Sequence, residues 1–306
     1  MKGCTNRACR VAASGAVVSL LLAGSAWGSL PGTIRKYAQL PQHMTGENIA
    51  SDVDWRLVMQ STAPIQPNWT IADDFPSQGL PIHTVRWWGS YFPSATGGPG
   101  NEPIFNPSTG RWEAVVEEGF ALSFFRDIPG GTPGGAPFSR PGELLGSYIA
   151  PDMNVTITPT TLVGWDGHRV WEYSVDLKNT HLDHGNAAYA TAGWFQQIPG
   201  EVYWLSIVAE NGHEVVPGTW QFVNNGDPIP TEHFWGWHTS PDSFLDVATM
   251  GNLIMPGSAW EYINWQPIMP QHGLHDMAFE LLTIPTPGAG ALLALAGLAA
   301  LRRRGR

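Results

Sequence analysis

The sequence predicts an all-β protein, an antiparallel two-sheet sandwich of jelly-roll-like type with long Gly/Pro loops. Three observations carry this. Short runs of period-two alternation recur along the chain, and no window of helical period matches them before the C-terminal tail. Thirty-five glycines and 26 prolines among 306 residues gather between those runs, where they break ladders and form turns. No internal repeat at a fixed period is present, which argues against a propeller or a solenoid.

Taken in order, residues 29–68 read as irregular, because Pro31, Pro41, Pro64 and Pro67 separate short segments; the core is expected from about residue 50. Ala72-Asp73-Asp74-Phe75 leads into a Gly/Pro turn. Ile82 to Phe92 alternates, with Val85, Trp87 and Tyr91 on one face and Thr84, Arg86, Trp88 and Ser90 on the other. Residues 93–110 are loop. Phe120 to Asp127 is a strand, Pro129 to Gly142 cannot be regular, and Glu143 to Ala150 resumes. Val170 to Leu177 gives the cleanest register: Trp171, Tyr173, Val175 and Leu177 face inward, while Glu172, Ser174 and Asp176 face out. Val202 to Ala209 is apolar at nearly every position and reads as a central strand buried on both faces. Thr219 to Val223, Phe234 to His238, Trp260 to Trp265 and Met277 to Thr283 complete the series.

Both ends are set apart from this domain. Lys2, Arg7 and Arg10 precede the apolar run Val17 to Ala23, and Ala26-Trp27-Gly28 supplies small residues at −3 and −1. That is a secretory signal over residues 1–28, cut before Ser29. Both cysteines, Cys4 and Cys9, lie inside it, so the mature chain rests on its core without disulfides. At the other end, a Pro/Gly break is followed by an apolar helix from Ala289 to Leu301 and a cluster of arginines. That helix would be about 20 Å long against roughly 30 Å of hydrocarbon. It suits transient membrane insertion, with Arg302, Arg303 and Arg304 cytoplasmic; an ordinary membrane anchor is the alternative.

Pro285-Thr286-Pro287, the short helix and Arg302, Arg303 and Arg304 resemble the PEP-CTERM sorting signal of exported bacterial proteins, here residues 284–306. Thr286 stands where the family's commonest form has Glu. The resemblance implies an exosortase-type membrane protease as partner and an extracellular or cell-envelope destination. The middle is similar to an uncharacterised domain family of exported proteins with this tail. The likeness rests on Ala72 to Phe75, Trp87-Trp88, Ser139 to Leu145, Tyr203-Trp204-Leu205, Phe234 to Ser240 and Asp276 to Phe279. It spans most of residues 50–283 and assigns no catalytic residue; the interval between the two signals, residues 29–283, is read as one β-sandwich domain.

The two signals hold seven of the 16 Lys and Arg and none of the 26 Asp and Glu, so the mature part carries a formal −17. Nucleic acid and anionic membrane surfaces are thereby disfavoured as partners. No nucleophile elbow, His-Glu-x-x-His helix, P-loop or dinucleotide fingerprint is present, which leans against an enzyme. Of 14 tryptophans in the mature part, Trp87, Trp171 and Trp204 read as core. Trp220, Trp235 and Trp237 lie near turns and could form a ligand platform for extracellular polysaccharide. For Trp235 and Trp237 burial is the favoured reading. Asp73, Asp74, Asp127 and Asp276 could meet around calcium, although nothing matches a contiguous calcium loop; bonds to turn amides are the plainer role for Asp73 and Asp74. The pairs His181/His184 and His272/His275 read as polar loop surface rather than a zinc site. The expected function is an exported structural or adhesive part of the envelope or matrix; the alternative is a carbohydrate-binding module or polysaccharide hydrolase.

Overall fold

The computed structural model describes residues 32–54, 68–91, 102–114, 119–131, 135–185, 190–191, 193–211, 214–215, 222–223, 235–242, 244, 246–254, 261–268 and 275–284. Both terminal signals, including the expected sorting helix, lie outside them. Among the described residues no helix is long and apolar enough to cross a membrane.

Three short strands open the fold: β1 (Ile34–Gln39), β2 (Asn48–Ala50) and β3 (Asp52–Asp54). They fall in the stretch expected to be irregular and move the start of the core back from about 50 to 34. β1 and β2 pair with strands 186 to 249 residues further along the chain, and β3 lies between β15 and β4, so no local pattern announces them. Next come β4 (Asn68–Pro76), β5 (Thr84–Tyr91), β6 (Ile104–Asn106) and β7 (Arg111–Glu113). β8 (Gly119–Ile128) pairs with the long β9 (Arg140–Pro151), which begins inside the connection expected to be irregular. β10 (Thr156–Val163) and β11 (Arg169–Asp176) form a hairpin, followed by β12 (His181–Gly185), β13 (Ala190–Thr191) and β14 (Trp194–Phe195). β15 (Val202–Asn211), β16 (Glu214–Val215), β17 (Phe222–Val223) and β18 (Trp235–Ser240) lead to the closing set. That set is β19 (Thr249–Ile254), β20 (Glu261–Pro267), β21 (Asp276–Met277) and β22 (Phe279–Thr283).

Two large sheets result, and neither closes into a barrel. The first runs β1-β22-β5-β11-β10-β7-β6. β22 pairs with the first half of β5 and β18 with its second half, so the two share one edge of that strand. The second runs β12-β9-β8-β15-β3-β4-β19-β20. Pairing is antiparallel apart from β3 beside β15. β4 and β15 pair from Pro76/Val202 to Ala72/Ser206 and then part, and β3 fills the opening. Ser51 makes the switch from β2 to β3: its hydroxyl donates to the Ile207 carbonyl at 2.6 Å and accepts from the Ile71 amide at 3.2 Å.

The sheets pack through their aromatic faces. Trp87 stacks on Tyr173 at 5.6 Å between ring centres, and Phe120 meets Trp87 and Trp235 edge-on, each at 5.2 Å. Phe124 stacks on Phe195 at 4.1 Å. Trp171, Tyr173, Val175 and Leu177 all lie in the intersheet core, as the alternation requires. The outer faces are covered as well. Trp204 alternates away from Tyr203 and Leu205 and packs outside the second sheet with Ala72, Phe125 and Trp265. On the first sheet's outer face, Arg86 binds Glu280 at 2.8 Å and Glu172 at 3.4 Å, and Arg35 also binds Glu280. Glu172 is therefore half-buried and paired rather than free in solvent, and this four-residue row ties β1, β22, β5 and β11 in register.

Candidate functional site: a buried carboxylate corner

Where β4 of the second sheet meets β21 and β1 of the first, acidic side chains crowd together. Asp73 and Asp74 are inside a nine-residue strand, not in the turn after it, and both are 0% exposed. Successive residues of a strand face opposite ways. Asp73 follows Ile71 and Phe75 toward the intersheet core, and Asp74 follows Ala72 to the outer face.

Asp73 is well held: one oxygen accepts from the Asp74 amide at 2.9 Å, the other from the Met277 amide at 2.6 Å. Asp276, 1% exposed, accepts with Oδ2 from the Gln39 side-chain amide at 2.9 Å and the Phe244 amide at 2.7 Å. Its Oδ1 has no hydrogen-bond partner, and neither oxygen of Asp74 has one. The Asp246 amide approaches Asp74 without completing a bond. Asp127 stands apart, its carboxylate accepting from Trp204 Nε1 at 2.8 Å.

The electrostatics follow from this crowding. Burial, then the neighbouring charges of Asp276, Asp246 and Asp127, push Asp74 up to about 8. Burial with Asp276 and Asp74 beside it holds Asp73 well above the usual carboxylate range. Asp276 is raised too, chiefly by burial. The Tyr37 phenol is pushed up by burial and by Asp73, Asp74, Asp276 and Asp242. Among the described residues no lysine or arginine forms an ion pair with any of these acids. As they lie, no three His, Cys, Asp or Glu side chains among the described residues are placed to hold a metal ion. The corner is therefore a surplus of acceptors, which either protons or a hard cation would relieve. It is closed to a polymeric substrate, since its carboxylates are buried.

The aromatic platform is corrected. Trp235 and Trp237 are wholly buried between the sheets, and Trp237 Nε1 donates to the Ala278 carbonyl at 2.9 Å. They share one face, as their spacing requires. A methyl group on Gly89 would overlap the Trp235 indole, so glycine there makes room for it. Trp220 lies outside the described residues. Among the described residues the exposed tryptophan is instead Trp165, 65% accessible at the turn of the β10–β11 hairpin. Its signal was the surrounding Gly164 to Gly167 turn, which cannot place a side chain in a core. His181 and His184 sit in β12 rather than in a loop, and a bulge between Leu182 and His184 separates them. His272 lies outside the described residues, as do Pro285, Thr286, Pro287, Arg302, Arg303 and Arg304.

A family model described as a domain of unknown function, DUF7901, matches residues 35–282. The chain belongs to that family. No curated protein and no solved structure matches it. The DUF7901 boundaries coincide with the folded strands, since β1 begins at Ile34 and β22 ends at Thr283. Asp73, Asp74, Asp127 and Asp276 all lie inside the DUF7901 match.

Proposed function

We propose that this DUF7901 protein is exported and serves the cell envelope or extracellular matrix as a non-enzymatic structural or adhesive part. One observation carries the reading. The family match, 35–282, fills the interval between an N-terminal stretch with the pattern of a secretory signal and a C-terminal stretch resembling PEP-CTERM. In this reading the tail inserts in the membrane transiently and an exosortase-type protease removes it. The acidic, disulfide-free composition of the mature part fits a soluble extracellular domain without nucleic-acid partners. Mass spectrometry of exported protein tests it: the mature chain should begin at Ser29 and lack Leu292 to Arg306. Retention of that tail in secreted material would overturn the processing.

Trp165 favours a second reading, a carbohydrate-binding module, because an exposed indole offers a flat face to a sugar ring. A glycan array with the exported protein and its Trp165→Ala variant decides. Binding lost in the variant supports the module, and no binding leaves the structural reading in place.

A further inference from the structure

We infer that the carboxylate corner is a calcium site, built from Asp74, Asp276 and Gln39 with Asp246 and Thr249 around them. The reasoning starts from unpaired atoms. Gln39 is 1% exposed and gives its side-chain amide hydrogen to Asp276 Oδ2, which leaves its carbonyl oxygen with no donor. Asp276 Oδ1, beside it, has none either. Across β4 the same holds for both oxygens of Asp74 and for the hydroxyl of Thr249, which is 0% exposed. Thr249 lies opposite Ala72 in the β4–β19 ladder and so shares the outer face with Asp74, one step along it.

Five buried oxygens without partners thus gather around one corner, and two of them belong to neutral side chains. Buried polar atoms are ordinarily bonded, so a cluster of orphans of a single kind calls for a ligand. A bridging water has only two hydrogens to give, fewer than the four oxygens of Gln39, Asp276 and ionised Asp74 that can only accept. The missing partner therefore carries positive charge and takes oxygen ligands. Among ions, that describes a hard divalent cation, and the mixture of carboxylate, amide and hydroxyl oxygens suits the flexible shell of calcium better than the strict octahedron of magnesium. Asp73 spans the two groups of orphans: its carboxylate accepts from the Asp74 amide at 2.9 Å on one side and from the Met277 amide, next to Asp276, at 2.6 Å on the other. As they lie the carboxylates do not converge on a metal position, so binding requires Asp74 to turn toward Asp276 and give up the approach of the Asp246 amide. Asp127, committed to Trp204, drops out of the set expected from sequence.

The test uses the exported protein, its export and tail processing being irrelevant to the outcome. Thermal unfolding is followed in EDTA, in calcium, in magnesium and in sodium chloride of matched ionic strength. Calcium at roughly a hundredfold above its Kd should raise Tm by about 5 to 10 °C. Magnesium should do markedly less. Asp74→Asn should raise Tm in EDTA, because a buried carboxyl without a partner is gone, and should lose the calcium increment. Terbium luminescence in the unmodified protein, sensitised by Tyr37 and displaced by calcium, gives the same answer without any variant. No calcium shift and no displaceable terbium signal would overturn the site. A shift reproduced by sodium chloride would reduce it to charge screening and overturn it equally.

Discussion

In the presence of chelator, the stability of this domain should fall as the pH rises from 7 to 8. Asp74 is the group that makes this measurable. It faces Asp276 from β21, Asp246 from the segment before β19 and Asp127 from β8, with Asp73 beside it on its own strand. Its carboxyl is raised from 3.8 in an unfolded chain to about 8 in the fold. The folded state therefore keeps a proton that the unfolded state releases. The resulting stabilisation is fully present below pH 4 and is lost as the pH climbs through about 8. Over the whole range it is on the order of 5 kcal/mol, since each pH unit of difference is about 1.4 kcal/mol. Between pH 7 and 8 the fall is about 1 kcal/mol. Asp73, held well above the usual carboxylate range, acts in the same direction, whereas Asp276, raised to about 6, has already ionised in both states by pH 7. The window avoids one opposing contribution and meets a smaller one. His83 and His238 are held neutral by burial and destabilise the fold only as the pH drops through their ordinary range, below 7. Lys36, lowered to about 8 by burial, offsets about 0.3 kcal/mol of the fall between pH 7 and 8 and more above it. Urea unfolding followed by tryptophan fluorescence in EDTA reads the slope directly, and Asp74→Asn should flatten it. A flat or rising profile between pH 7 and 8 in the unmodified protein would refute the assignment of a proton-holding, uncompensated Asp74.

Further outcomes follow from the packing. Trp171→Asp places a charge in the intersheet core and should cost several kcal/mol, visible as loss of the cooperative melt. Glu172→Lys should also destabilise, by about 1 to 2 kcal/mol, because it sets a second cation beside Arg86; equal melting temperatures for it and the unmodified protein would sink the ion row. Glu280→Gln should cost about 2 kcal/mol by taking from buried Arg86 the nearer of its two carboxylates, Glu172 remaining at 3.4 Å. The double change Arg86→Met with Glu280→Leu should recover part of that loss, since the fully buried pair is gone and the charges left, Arg35 and Glu172, reach solvent. Oxidative footprinting should label Trp165 strongly and leave Trp235 and Trp237 protected without any ligand.

Much of the sandwich was legible because its signals are local. In Val170 to Leu177, period-two alternation alone fixes which side chains meet the opposite sheet. The continuous apolar run at Val202 to Ala209 likewise gives a strand flanked on both edges, by β8 and β4. The strands that stayed hidden are those whose reason for existing is distant. β1 is paired to residues 279–283, and β2 is held by β18. β10 carries Pro159 and a register break after it, so its alternation is blurred. The outer faces misled in a different way. Glu172 and Trp88 follow the polar side of an alternation, yet both sheets are covered outside, and a strand pattern cannot report what covers it.

The acidic corner shows the same division more sharply. That Asp73, Asp74 and Asp276 belong together could be guessed, because acids near strand ends are candidates for assembly from separate segments. That Asp74 would sit in mid-strand without a single donor could not, since it depends on where β19 leaves β4 and on how Gln39 spends its amide. Such an arrangement is unfavourable by the ordinary rules: a buried carboxylate without a partner costs several kcal/mol, comparable with the whole stability of a domain. Elsewhere the rules are obeyed only in part: Arg86 pairs with two acids and Trp204 and Trp237 find acceptors for their ring N–H groups, while the ring N–H groups of Trp87, Trp171 and Trp235 do not. Local violations concentrate where something must bind or switch. Among the described residues no lysine or arginine pairs with these acids to repair the corner from within. A proton does so below about pH 8, and in the calcium reading proposed above the ion would do so where Asp74 otherwise ionises.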